Sequence, residues 1–535
     1  MNMKRFFGWI LALFVIVPSL AASCDKDPDE PESEPHIPTS ITCSPAAVEA
    51  DIEGGAYPVT ITAPARPKIS GLPSWVTLTD GTYKDYKITV TLTVATNYEY
   101  SDRSAAVTVS STGVSDASIA ISQKGRTIVP DPEPGSNEAW QMSKKLGLGW
   151  NMGNHFDAFY NYPGAGDKFL YPSETVWGGE LATQATFDGV AAAGFTSVRI
   201  PVTWLKMIGE APDYTIDETW LNRVYEVAQY AHNAGLYVII NTHHDENHHS
   251  ITDDSGNDID TRWLDIKNAA TNSTLNAQIK EQIAAFWKQV AERFADCGDW
   301  LIMEAFNEIN DGGWGWSAAF RADPSKQCNV LNEWNQTFVD AVRSTGGNNA
   351  TRWLGVPSYA ANPEFTAYMT VPEDAAGRIM ISVHFYDPSD YTIGAAQYSD
   401  WGHTATAGKK AAGGDEDHVK EIFGNLFSKY VDNNIPCYIG EFGCSVRNKA
   451  DSRAWAFYMY YLEFVVKAAK VYGLPCLLWD NGAKSYGQEQ HGYINHGTGD
   501  YIGNSKEPID VMVKARFNED QGYTLQSVYD SAPVF

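Results

Sequence analysis

Basic residues are scarce in this sequence: 39 Lys and Arg stand against 66 Asp and Glu, for a formal net charge of −27 at pH 7. Such a surface repels phosphate backbones, so nucleic acid is excluded as a partner, while a neutral polymer is not repelled. Cysteine is also sparse. Seven occur in 535 residues, with no CxxC pair and no Cys/His cluster at zinc spacing. Neither a disulfide pairing nor a metal centre is therefore read, and no cofactor is called. His243, His244, His248 and His249 follow no standard ligand spacing, and Asp245 and Glu246 are read as a polar loop. Apolar runs of membrane length are missing. The one long run, Phe6 to Leu20, is too short to span a bilayer comfortably. What is abundant is aromatic: 17 Trp and 28 Tyr. Most must be core, but flat rings also stack on the apolar faces of sugars.

The N-terminal run has the form of a signal peptide: Lys4 and Arg5, then Phe6 to Leu20, then Ala21-Ala22-Ser23. Cys24 comes directly after, and residues 1–23 with Cys24 resemble a bacterial lipoprotein signal. That resemblance implies lipidation at Cys24, a membrane anchor, and a place on the outer-membrane surface of a Gram-negative cell. Residues 24–38 are acidic and Pro-rich, and are read as a disordered tether. The acidic run resembles the export tag of Bacteroidetes surface lipoproteins.

Residues 39–126 are rich in Thr, Ser and Val. Strand-like runs recur at Tyr57 to Thr62, Lys87 to Ala95, Ala105 to Ser110 and Ala117 to Gln123, which predicts a small all-β sandwich of immunoglobulin-like type. Pro73-Ser74-Trp75 and the ending Ile119 to Gly125 resemble the BACON module. That likeness leaves two roles open. The module either binds glycan, through Trp75, Tyr83, Tyr86, Tyr98 and Tyr100, or serves only as a spacer. Residues 127–137, with Pro130, Pro132 and Pro134, read as a stiff linker.

From residue 138 to 535 short apolar runs alternate with helical periodicity. The strands are expected at Leu146–Asn151, Ser197–Val202, Leu236–His243, Trp300–Glu308, Arg352–Pro357, Arg378–Tyr386, Pro436–Glu441 and Leu474–Asp480. Leu221 to Ala234, Leu275 to Ala295 and Trp334 to Val342 carry one apolar face. Gly194, Gly235, Gly298 and Gly473 are placed just past helix ends. Eight such units predict a (β/α)8 TIM barrel, whose chemistry lies at the C-terminal ends of its strands.

Those ends carry Asn154, Arg199, His243, His244, Asn307, Glu308, His384, Tyr386, Glu441 and Trp479. Two glutamates reaching in from opposite sides of one rim suit glycoside hydrolysis, in which one acid starts protonated and the other ionised. Arg199 and Tyr386 can hold Glu441 ionised, and His384 can orient Glu308 or a sugar hydroxyl. Asn307 can bond the sugar 2-hydroxyl, and Trp479 can floor the attacked sugar. Glu304 shares Glu308's strand face roughly 13 Å deeper and is read as a buried structural group.

Val198-Arg199-Ile200-Pro201-Val202, Asn241-Thr242-His243-His244, Phe306-Asn307-Glu308, His384-Phe385-Tyr386, Gly440-Glu441-Phe442-Gly443 and Leu478-Trp479-Asp480 together resemble glycoside hydrolase family 5. The resemblance implies a retaining enzyme with Glu308 as acid/base and Glu441 as nucleophile, acting on a polysaccharide as a monomer. Gly149 to Asn154 and Glu174-Thr175-Val176-Trp177-Gly178 are similar to the subfamily 4 endoglucanases, lichenases and xyloglucanases, which adds Asn154 and Trp177 to the groove. Met152 stands where that subfamily usually has Leu, and His155-Phe156 replaces small residues; both departures are expected near the groove. Two rivals are a β-mannanase on the same barrel and a glycan-binding protein that has lost its catalysis. The first-strand and Trp177 motifs oppose the former. Retention of both glutamates opposes the latter.

Overall fold

The computed structural model describes residues 36–52, 54–97, 102–125, 130–162, 169–246, 251–252, 258–259, 262–394 and 397–535. The signal segment and Cys24, most of the tether, Tyr98, Tyr100, His248 and His249 lie outside them. The chain divides into two compact units, Met1–Arg126 and Thr127–Phe535.

In the first unit, two four-stranded sheets face each other. One has the order Thr42–Ser44, Gly55–Thr62, Lys87–Val94, Val76–Thr79. The other has the order Ala47–Ala50, Ala117–Gln123, Arg103–Ser110, Lys68–Ser70. Strict alternation drives this packing: Ile88, Val90, Leu92 and Val94 point inward, with Lys and Thr between them. They meet Val59, Ile61, Val107, Val109, Ile119 and Ile121 in one core. The four long strands are those expected. The four short ones hold too few residues to show a period. Trp75 is no open platform: it packs against this core, with the Arg103 guanidinium 4.6 Å from its ring centre. Tyr83 donates its hydroxyl to the Ala63 carbonyl. Among the described residues of this unit, no Trp or Tyr is exposed.

The second unit is a closed barrel of eight parallel strands: β1 Leu148–Met152, β2 Ser197–Ile200, β3 Tyr237–Ile240, β4 Leu301–Glu304, β5 Leu354–Pro357, β6 Ile379–Phe385, β7 Cys437–Phe442 and β8 Cys476–Asp480. Their order runs from β2 through β8, and β8 pairs with β1 to close the ring. With helices outside and side chains within, nearly every strand residue is buried, so the runs are apolar without alternation. The flanking helices show the expected stripe; Glu218–Asn233 buries Trp220, Leu221, Val224, Val227, Ala228 and Ala231. Met142 and Leu146 of the first helix plug the barrel floor against Ile239, Ile302, Trp353, Met380 and Leu477.

Four expectations are corrected. Strands β3 and β4 stop at Ile240 and Glu304, so His243 and Glu308 stand on loops just beyond them. Past β4, Ala305 and Phe306 still face the core, and past β3, Asn241, Thr242 and His243 are buried although polar. Gly194, Gly235 and Gly473 take positive φ, but Gly298 does not. It lies beyond the helix Ser273–Arg293, and its carbonyl accepts from Arg352 instead. The end of the linker belongs to the barrel: Asp131 accepts from Tyr472 Oη at 3.2 Å and pairs with Lys420 at 3.4 Å. Met152, His155 and Phe156 are fully buried and so present nothing to a groove.

Candidate active site

Arg199 is the hub of the rim. It is fully buried on β2, and its five N–H donors reach three other strands or the loops beyond them. Nε donates to Glu304 at 2.7 Å; Nη1 donates to Glu441 at 2.7 Å and Asn151 at 3.1 Å; Nη2 donates to Asn307 at 2.8 Å. Burial opposes its charge, but Glu304 and Glu441 outweigh burial and hold it cationic.

Glu304 is the structural group expected. Despite complete burial it is held below the ordinary carboxylate range by Arg199 and Ser382. Ser382 Oγ at 2.6 Å, Tyr438 Oη at 2.8 Å and Asn241 Nδ2 at 3.0 Å also donate to it. Sequence reasoning missed these three partners. Their signal was there: each is a polar residue on the inner face of an apolar run.

Glu308 and Glu441 face each other. Carboxylate oxygens of the two and a ring nitrogen of His384 all lie within 4.8 Å of one another. Their surroundings differ. Burial pushes Glu308 up to about 8, with Arg199 opposing and Glu304 adding to the rise. Its partner is His384, whose Nδ1 lies 2.7 Å from Oε1. Burial takes that imidazole down to about 4, so it is neutral. Glu441 is also raised by burial, against the pull of His384 and Arg199. It alone of the two has a direct guanidinium partner, and Tyr386 Oη donates to its other oxygen at 3.0 Å. Burial and Glu441 keep the Tyr386 phenol far above its usual range, so it remains a donor.

The remaining predicted residues gather around this pair. Trp479 is partly exposed and lies parallel to His243, with ring centres 5.8 Å apart and planes 4° apart. Gly153 lets the ring in: a Cβ there would sit 2.5 Å from it. Asn307 commits its oxygen to Arg199. Asn154 and Trp177 line a cavity of about 350 Å³ with Glu180, Asn481, Lys484 and Gln490, beside the rim where β8 meets β1. Trp177 is 41% exposed and donates its indole N–H to the Phe159 carbonyl. His244 stacks edge-on against His243 and stands near Trp177.

Among the described residues, two groups place three possible ligand atoms within 4.8 Å: Glu308, His384 and Glu441, and Asp157, His243 and His244. The first is the carboxyl pair itself. In the second, Asp157 already accepts the backbone N–H groups of Asn154 and His155, which shapes the turn after β1. Asp245 and Glu246, expected in a polar loop, are buried. Asp245 is stabilised there by accepting from Trp204 N, Leu205 N and Trp263 Nε1.

Comparison with known proteins agrees with this geometry. The model for Cellulase (glycosyl hydrolase family 5) matches residues 163–485, and the BACON N-terminal domain model matches residues 68–124. Endoglucanase A of Paenibacillus barcinonensis is 37% identical over 369 residues, covering 66% of this chain and 84% of the relative. A xyloglucan-specific endo-β-1,4-glucanase of Bacteroides ovatus is 33% identical over 456 residues, covering 81% and 84%. The solved structure of a broad-specificity endoglucanase from Bacteroides salanitronis is 51% identical, covers 72% of this chain and 97% of its own, and superposes with a TM-score of 0.65. The chain belongs to glycoside hydrolase family 5.

Proposed function

We propose that this chain cuts internal β-1,4 bonds of a plant glucan with retention of configuration, with Glu308 as acid/base and Glu441 as nucleophile. The observation that carries this reading is the pair of carboxyls with oxygens within 4.8 Å, in unlike surroundings. That spacing suits direct attack by one carboxylate and leaves no room for an intervening water. Glu308, raised to about 8, starts protonated and delivers its proton to the leaving oxygen. Glu441, paired with Arg199, starts ionised and attacks the anomeric carbon. Once esterified, Glu441 has lost its charge. The Glu308 pKa then falls, and Glu308 deprotonates the water that releases the sugar. Trp479 floors the attacked ring, and the Asn307 amide meets its 2-hydroxyl.

Initial rates on xyloglucan, barley mixed-linkage glucan, carboxymethyl cellulose and glucomannan test the substrate class, using the chain from Pro130 so that the Asp131 contacts are kept. Reducing ends should appear fastest from one of the three glucans. Fastest release from xyloglucan would mark a groove that admits side chains. Dominance of glucomannan would replace this reading with a mannanase.

The same proposal extends to location. Lys4-Arg5, the apolar run and Ala-Ala-Ser before Cys24 support export and lipidation, which would anchor a monomer at the outer cell surface. Metabolic labelling with radioactive palmitate should mark the intact chain and not the Cys24→Ala variant. Equal labelling of both would reject the anchor.

A further inference from the structure

Asn241, just beyond the end of β3, is buried, and its whole amide is engaged inside the protein. Its Oδ1 accepts from Val202 N at 3.1 Å. Its Nδ2 donates to Glu304 Oε2 at 3.0 Å and lies 3.3 Å from His243 Nδ1. These partners fix which way the amide points. Turned over, it would set its carbonyl against an ionised carboxylate and its NH2 against a backbone N–H. Glu304 cannot swing aside to allow this. Arg199 holds its Oε2, and Ser382 and Tyr438 hold its Oε1.

The amide nitrogen has two hydrogens and nothing to accept with. One hydrogen goes to Glu304 and the other to His243 Nδ1. That ring nitrogen is therefore bare, and the proton of the neutral imidazole sits on Nε2. Burial holds the ring well below its usual range, with His244, Arg199 and His384 adding to the effect, so no second proton competes. Among the described residues, Nε2 makes no hydrogen bond. An oxygen of Asp157 and a ring nitrogen of His243 lie within 4.8 Å, but Asp157 accepts from Asn154 N and His155 N and makes no bond to the ring. The imidazole stands parallel to Trp479, with planes 4° apart, beside the floor of the attacked sugar. We infer that Asn241 is a positioning residue: it holds the His243 proton on Nε2, so that the ring donates to a hydroxyl of the sugar at Trp479. The same amide ties this donor to the nucleophile, along a line of hydrogen bonds from His243 through Asn241, Glu304 and Arg199 to Glu441. The sugar's part in this inference rests on the function proposed above.

Two measurements on the full chain test it. In the first, the histidine nitrogens are isotope-labelled, and the His243 signals are identified by their loss in His243→Gln. The unaltered chain should show a bare Nδ1 and a protonated Nε2. The Nε2 signal should move when cellotetraose is added to Glu308→Gln, and Asn241→Ala should let the proton spread to Nδ1. A protonated Nδ1 in the unaltered chain, or an Nε2 signal indifferent to the sugar, overturns the inference. The second is a double-mutant cycle on nitrophenyl β-cellobioside. His243→Gln replaces the ring by an amide whose N–H donates with no tautomer to fix. Asn241→Ala should then lower kcat/KM about tenfold more in the unaltered background than in His243→Gln. Equal losses in the two backgrounds would show that Asn241 serves only to hold Glu304, and the inference fails. If the unaltered chain cuts no glucan, the proposed function falls, while the labelled spectrum still decides whether Asn241 sets the His243 proton.

Discussion

Glu308 and Glu441 share burial and differ in partner, and that difference sets the pH behaviour. Turnover needs Glu308 protonated, so kcat/KM should fall as pH rises through about 8. It also needs Glu441 ionised, so the rate should fall again on the acid side, at a pH raised by burial from the ordinary carboxylate range. On an aryl cellobioside with a good leaving group, Glu308→Gln should lose the alkaline limb and keep the acid one. On polymer the same change should cost roughly 10²–10⁴-fold. An alkaline limb that survives in Glu308→Gln would assign it to another group. The places of Glu308, Glu441, Arg199, His384, Tyr386 and Trp479 at one rim were legible in the sequence because each falls at or just beyond the end of an apolar run. The burial of Asp245, on the loop after β3, was not. Loop residues obey no period, and their roles come from hydrogen bonds that only the fold brings together.

Strand β4 and its loop carry two glutamates with opposite tasks. Glu308 stands at the mouth, while Glu304 sits inside as the counter-charge of Arg199, with Asn241, Ser382 and Tyr438 filling its remaining lone pairs. Breaking such a buried pair leaves an uncompensated charge. Glu304→Ala should therefore cost about 3–5 kcal/mol of stability and, by releasing Arg199, most of the activity. Urea unfolding of the barrel, measured beside kcat, checks this; a loss below ~1 kcal/mol would show that Arg199 finds another partner. Element type was plain from apolar runs of strand length between amphipathic helices. Element ends were not: β4 surrenders ladder bonds before its apolar residues run out, and β3 gives way at Ile240 to polar residues that are just as buried. The short sandwich strands went unread for the converse reason: three or four residues are too few to show alternation. The departures at Met152 and His155-Phe156 looked like groove chemistry because they adjoin Asn154. Their burial makes them packing substitutions.

At the scale of the whole chain, acidity and burial work together. Glu308 at about 8, Asp157 at about 7 and Asp245 at about 6 are all raised by burial above their unfolded values near 4. Through these three groups the folded protein binds more protons than the unfolded chain between pH 4 and 8, and their contribution to stability falls as pH rises through that window. His155 at about 3, with His384 and His491 at about 4, is lowered by burial. The unfolded chain takes up those protons below about 6.5, so the contribution of these three histidines falls as pH drops. The two sets oppose each other between about pH 4.5 and 6.5, so the melting temperature should change little there and should fall between pH 6.5 and pH 8.5, where only the carboxyls still titrate. A melting temperature that keeps rising to pH 8.5 would show that these carboxyls are not held protonated. The two-unit organisation was legible from the change of pattern after the Pro-rich stretch. The docking of Asp131 onto the barrel was not, since a lone aspartate in a linker carries no mark of its partners.

Azide separates the nucleophile assigned to Glu441 from the acid/base assigned to Glu308. Aryl β-cellobioside is supplied to Glu441→Ala and to Glu308→Ala with sodium azide, and the anomeric configuration of each product is read by proton NMR. With Glu441 gone, azide can take the nucleophile's place and should yield the α-glycosyl azide. With Glu308 gone, azide should intercept the glycosyl-enzyme and yield the β-anomer. The reverse pairing of variant and anomer would contradict the assignment.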